Sequence, residues 1–334
     1  MATAYELERP RQEPADFYTR AMRLSSRLDS RAGRLYFAIQ AVAGALWWIA
    51  VGLNDSIRVL TLGTIDPLLV AIFDIPLFVI GSAFVAFGLM PLVWVVTAWT
   101  ALVATGLAFY ATITGQAGWG VLLMIAATAG SIAAAVLIRF GRVPTEWILF
   151  GPFTIKVAAS ASTPTHIART TCQLIAFWGL FLVMIPAVIV LLEQRWGLFL
   201  SFPLAARWTG VALVIAASAL GIWSAISMST RGEGTPLPSA TARKLVIAGP
   251  YRFVRNPMAV AGIAQGVAVG LMGGSWLVVV YALCGSLIWN WIVRPLEESD
   301  LMERFGSAYT VYARDVRCWL PRLTPFRPTH MNLR

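Results

Sequence analysis

About eight stretches of this chain are apolar over close to the roughly 20 residues that a helix needs to cross a bilayer, and this pattern excludes most folds. They cover residues 35–53, 67–89, 92–114, 119–138, 171–192, 208–228, 257–274 and 276–293. In hydrocarbon the backbone must satisfy its own polar groups, so only helices and closed barrels can span. Runs this long and continuous predict an all-α, polytopic transmembrane bundle. Only 13% of the residues are charged, against about 25% in a soluble domain. A shorter apolar run at 146–158 reads as interfacial. Residues 1–33 are polar and rich in Arg, unlike a cleavable signal peptide.

The basic residues set the orientation. Four groups lie on one side if there are eight spans. The N-terminal segment holds Arg9, Arg11, Arg20, Arg23, Arg27, Arg31 and Arg34; the 139–170 connection holds Arg139, Arg142, Lys156 and Arg169. The 229–257 connection holds Arg231, Arg243, Lys244, Arg252 and Arg255; the C-terminal tail holds Arg294, Arg304, Arg314, Arg317, Arg322, Arg327 and Arg334. Only Arg58, Arg195 and Arg207 fall on the other side. Both termini are therefore expected in the cytoplasm. The net charge of +10 is read as orientation and anionic-lipid contact, not as nucleic-acid binding.

Polar residues concentrate at two of the cytoplasmic exits. One is Gly249-Pro250-Tyr251-Arg252-Phe253-Val254-Arg255-Asn256-Pro257, and the other is Arg294-Pro295-Leu296-Glu297-Glu298. The hairpin of the last two spans, turning at Gly273-Gly274, brings them to one face. Pro295 suits the first turn of a new helix. Leu301, Phe305, Tyr309, Tyr312 and Val316 then recur at spacings of three and four, an amphipathic stripe flanked by both glutamates. Spacing alone leaves two readings open: a functional site, or a helix-dipole effect with an Arg294–Glu298 pair. Gly262, Gly266 and Gly270 share a helix face and permit close approach of a helix or a flat ligand. The loop Gly232-Glu233-Gly234-Thr235-Pro236-Leu237-Pro238 precedes these pieces.

The ordered set Leu245-Val246, Gly249 to Pro257, Arg294 to Glu298, Leu301, Phe305-Gly306, Tyr309, Tyr312, Val316 and Pro321 resembles the isoprenylcysteine carboxyl methyltransferases and the related phospholipid methyltransferases. The likeness covers about 230–321 and extends loosely back to about 170. It implies a bundle whose cytoplasmic C-terminal amphipathic helices cover a site for S-adenosylmethionine. The cofactor-binding residues it implies are Leu245, Val246, Gly249, Tyr251, Arg255, Asn256, Pro257, Glu297, Glu298 and Tyr309, with Arg255, Glu297 and Glu298 as the catalytic set. Glutamates can accept from ribose hydroxyls or an ammonium. Arg255 can grip a carboxylate with a forked donor, and Tyr251, Tyr309, Trp289 or Trp291 can face adenine or a sulfonium. Gly249 would let backbone come close. The family's Arg-His-Pro-x-Tyr stands here as Arg255-Asn256-Pro257-Met258-Ala259, and the His before Leu-Val is Arg243. The Asn form is similar to that of bacterial relatives and implies a bacterial inner membrane.

The expected organisation is a cytoplasmic segment 1–34, a four-span region 35–145, a connection 146–170 and a methyltransferase core 171–334. The acceptor should be a lipophilic small molecule or lipid that enters from the bilayer and presents a carboxylate, amine or hydroxyl. Two other classes compete: an NADPH-dependent enzyme like the membrane sterol reductases, and a non-catalytic transporter or scaffold. Cys172, Cys284 and Cys318 are scattered and predict free thiols, and no metal site is read. Asp66 and Asp74 lie in or beside an apolar segment, where an acid is either functional or near the interface. Gln40, Gln173, Gln265 and Asn290 suit interhelical hydrogen bonds.

Overall fold

The computed structural model describes residues 29–142, 144, 162–235 and 241–327. Most of the N-terminal arginines, the 146–158 run, Lys156, Pro236 to Pro238 and Arg334 lie outside the described residues. Within them the chain is helical, without a strand. The first four predicted segments form α1 (Ser30–Leu53), the short α2 (Asp55–Leu62), α3 (Pro67–Asp74), α4 (Gly81–Phe87), α5 (Leu92–Thr114) and α6 (Gly118–Phe140). The rest form α7 (Thr163–Trp178), α8 (Ile185–Arg195), α9 (Leu204–Arg231), α10 (Pro257–Gly273), α11 (Trp276–Ile288) and α12 (Arg294–Asp315).

Local chemistry sets several helix starts. The carboxylate of Asp29 accepts from the Arg31 and Ala32 amides at α1, and Asp66 accepts from the Leu68 amide at 2.8 Å at α3. Ser275 caps α11 through the Val278 amide. Side-chain oxygens there meet donors that have no partner within the helix.

Three π-turns interrupt the ladders, at Ile75–Ile80, Gly179–Met184 and Trp289–Val293. Pro76 lies inside the first; Pro186 and Pro295 stand two residues past the others. A proline ring clashes with the carbonyl four residues back, and a widened turn relieves that clash. This corrects one expectation. Pro295 does not open a separate helix: the helical path runs on from α11 through the π-turn into α12 without a break at the proline.

All eight apolar segments are helical. Seven helices among the described residues are long and apolar enough to cross a membrane. The exception is α10, whose 17 residues give roughly 25 Å at 1.5 Å per residue. Large apolar side chains point outward along the helices: Leu53 is 84% exposed, Phe87 83% and Phe109 70%. A surface this greasy needs lipid around it. The protein is an integral membrane bundle.

Packing is tightest where side chains are small. A Cβ on Gly266 or Gly270 would strike Ala282 or Val279 of α11, whereas one on Gly262 would meet nothing. The stripe therefore serves the α10–α11 hairpin. In the N-terminal half Phe37, Val85, Val93, Val96, Ala134 and Ala135 form a core. Gln40 donates to Ser82 at 3.0 Å and accepts from Ser131 at 2.9 Å. Gln265 donates to Ser218 across α10 and α9 at 2.9 Å. At one end of the bundle the α8–α9 loop ties the halves together: Trp196 donates to Thr112 at 3.0 Å and Trp276 donates to the Leu198 carbonyl at 2.9 Å.

Candidate active site

The other end of the C-terminal half holds a polar cavity. Its frame is the chain tail folded back on the segment after α9. The Arg322 and Phe326 amides donate to the carbonyls of Phe253 and Arg252, each at 2.9 Å, and the Arg255 amide donates to the Arg317 carbonyl at 3.0 Å. The Tyr312 hydroxyl donates to the Tyr251 carbonyl at 2.6 Å. Arg304 pairs with Asp300 at 2.7 Å and reaches the Ala242 carbonyl at 2.7 Å, stapling α12 to the 241–248 segment. Asn290 accepts from both Arg294 and Trp319 at 2.8 Å, so it ties the tail to the end of α11 and does not bridge two spans.

The predicted amphipathic stripe lies beneath this frame. Tyr309, Tyr312, Val316 and Phe326 form a buried cluster with Leu245, Leu301 and Phe305 packed on it. The helix breaks at Gly306, which takes φ 51°. That left-handed turn suits glycine.

Eight of the predicted site residues line the cavity: Leu245, Val246, Tyr251, Arg255, Asn256, Glu297, Glu298 and Tyr309. Gly249 and Pro257 do not. Gly249 has φ 53°, and a Cβ there would run into Ser227 and Trp223 of α9. Its smallness serves a turn against that helix. Pro257 is the first residue of α10. Of the two candidate tryptophans, Trp289 lines the cavity, while Trp291 is 66% exposed on the outer surface.

The two glutamates are held differently. Glu298 is buried and its Oε1 lies 3.2 Å from Arg255 Nη2 and 3.7 Å from Arg294 Nε. One carboxylate thus sits between two guanidinium groups. Glu297 has no arginine partner of this kind. Asn256 donates to it at a long 3.5 Å, while the Asn256 side-chain oxygen caps α10 by accepting from the Ala259 amide at 3.0 Å. Part of the surface of Glu297 stays open to the cavity, yet its carboxyl lies deep among protein atoms. Burial first, then the charges of Glu298 and Asp300, raise it from 4.5 to about 8. Burial also pushes the Tyr251 phenol up, helped by Glu297. It raises the Cys318 thiol to about 11, with Glu298 adding to the effect.

Sequence reasoning missed several lining residues: Met228, Thr235, Thr241, Asp300, Arg304 and Cys318. The i, i+4 spacing of Asp300 and Arg304 was a usable signal. Cys318 carried none, because a lone cysteine announces nothing about its neighbours.

A membrane bundle with a charged, aromatic cavity where its spans end is the class that this geometry defines. The family model for phospholipid methyltransferase matches residues 205–308. That stretch runs from α9 through both glutamates, and over it the resemblance drawn from the motifs holds. Over residues 205–308 this membrane protein is similar to a methyltransferase family. The match stops short of Tyr309, Tyr312 and Cys318. No curated protein and no solved structure matches the chain.

Proposed function

We propose that this protein is an S-adenosylmethionine-dependent methyltransferase that acts on a lipophilic acceptor at the cytoplasmic face of a bacterial inner membrane, with both termini in the cytoplasm. The catalytic core is 171–334 and 35–145 is a four-span membrane region, with 1–34 as a cytoplasmic N-terminal segment and 146–170 as a cytoplasmic and interfacial connection. The observation that carries this reading is the unequal glutamate pair: Glu298 clamped by Arg255 and Arg294, and Glu297 facing the cavity with a carboxyl near 8.

The residues present fit the cofactor. Arg255 lines the cavity and its buried Nε has no hydrogen-bond partner, which suits a carboxylate. Tyr251, Tyr309 and Trp289 offer ring faces to a cation or an adenine. Leu245 and Val246 supply apolar wall, and Asn256 orients Glu297. When bound, S-adenosylmethionine supplies an electrophilic methyl group on a sulfonium.

The protein then has three tasks. Arg255 and Arg294 fix Glu298, which holds the polar wall in register. The tail cluster around Tyr309 and Tyr312 keeps water out, so that alignment and low polarity favour methyl transfer. Glu297 can take the proton that a hydroxyl or an ammonium must lose, because a carboxyl near 8 is poised for exchange at neutral pH. A carboxylate acceptor needs no such base.

Purified full-length protein should be stabilised by S-adenosylmethionine or S-adenosylhomocysteine and not by NADPH. Labelled donor added to membranes should mark a lipid, and Glu298→Gln should abolish the label while the variant still elutes as the folded parent. Stabilisation by NADPH alone, or full labelling by the variant, overturns the proposal.

A further inference from the structure

The N-terminal half holds a second cavity, of about 560 Å³ and partly open toward the outside of the bundle, within the range of small-molecule sites. It lies between α1, α3, α5 and α6, toward the end of the bundle opposite the charged site. Thr61 and Leu62 of α2, Ile65 before α3, and Gly120 near the start of α6 contribute to it. These are the chain ends that share a face with the α8–α9 loop. Its walls are almost entirely apolar and aromatic, among them Trp47, Phe73, Trp99, Leu107 and Met124.

One wall residue breaks the pattern. Asp74 is the last residue of α3, about two turns from its start, and is 5% exposed. Its Oδ2 accepts from the Trp48 indole at 2.9 Å and its Oδ1 from the Trp99 indole at 3.0 Å. A carboxylate offers about four acceptor positions, so two indoles leave half of that capacity. No Lys, Arg or His lines this cavity. A tether between α1, α3 and α5 needs only a neutral acceptor, and an acid inside a span is costly without a compensating partner. By contrast Asp66, eight residues earlier, is explained fully as a helix cap.

An uncompensated acid in an aromatic, apolar chamber is complementary to a cation on a greasy body. The carboxylate meets the charge, indole and phenyl faces add cation–π attraction, and the walls bury the chain. We infer that this cavity is a binding site for a single-chain lipophilic amine, separate from the methyl-transfer site and on the opposite face of the membrane.

The test uses the full chain in detergent, with hexadecylamine, hexadecanol and palmitic acid as probes, read by native mass spectrometry and thermal shift at neutral pH. The expected order is amine first, tighter than the alcohol by about tenfold or more, with the acid weakest. Asp74→Asn should erase the preference for the amine. Gly106 lies at the cavity, and a Cβ there would meet no atom within 4 Å. Gly106→Leu should therefore fill space without a clash and weaken amine binding even if the Asp74 variant fails to fold. Equal binding of the three probes, preference for the acid, or amine binding that Gly106→Leu leaves untouched would each overturn the inference.

Discussion

The two cavities meet charge in opposite ways. At the exit of the last hairpin, Glu298 faces two guanidinium groups within 4 Å and Asp300 is matched by Arg304. In the N-terminal cavity the one acid of the wall, Asp74, is met by two indole N–H groups. The first site is built by a tail that leaves the apolar region and folds back, so it can recruit long charged side chains whose stems pack on apolar surface. The second is built from side chains inside spans, where each extra charge is expensive and aromatic donors are the affordable partners. Where a membrane protein places its pairs, then, marks where its spans end.

The largest expected effect tests the charge pairing itself. Arg255→Ala removes one partner of a buried pair, which typically costs about 3–5 kcal/mol. The melting temperature in detergent should fall markedly. A loss no larger than that of an exposed pair would break the contrast between the two cavities.

Next comes the pH response of Glu297. Its carboxyl is raised from 4.5 to about 8, so the folded protein gives up stability as pH rises between those values, and the full cost is present above about 8. Glu297→Gln should melt above the parent at pH 9 and level with it at pH 4. If the ionised form pairs with a cationic cofactor group, parent affinity should gain up to about tenfold per pH unit from pH 6 toward 8, relative to this variant. The ligand's own titration cancels in that ratio. Parallel profiles would remove Glu297 from the site.

Tyr312→Phe leaves the buried Tyr251 carbonyl without its donor, at a cost of about 1–3 kcal/mol. The loosened tail should admit faster hydrogen exchange across 249–256, with no change at the N-terminal cavity. The smallest effect belongs to Asn256→Ala. Losing the cap of α10 costs about 1 kcal/mol, and a calorimetric scan should detect it.

Much of this was legible from particular residues. The stripe from Leu301 to Val316 told which face of α12 is buried. The Leu245-Val246, Gly249–Pro257 and Glu297-Glu298 pieces and Tyr309 of the stripe together named ten residues, of which eight line one cavity. Gly249 misled, because a glycine reports that something is close and not what: here it is α9. Pro295 misled because a helix-opening proline and a π-turn proline have the same local sequence. Asp66 and Asp74 looked alike as acids near prolines, and only one is a cap.

By itself the sequence determined that the chain spans a membrane, where the spans fall and which polar pieces share a face. These follow from local hydrophobicity and helical period, properties of short windows. The tertiary structure alone decided that Arg255 joins Arg294 on Glu298, that Glu297 is left without such a partner, and that Asp74 lines a chamber with no cation in its wall. Partners chosen across 25 or more residues depend on how helices cross and how a tail folds back. No window of sequence contains that geometry.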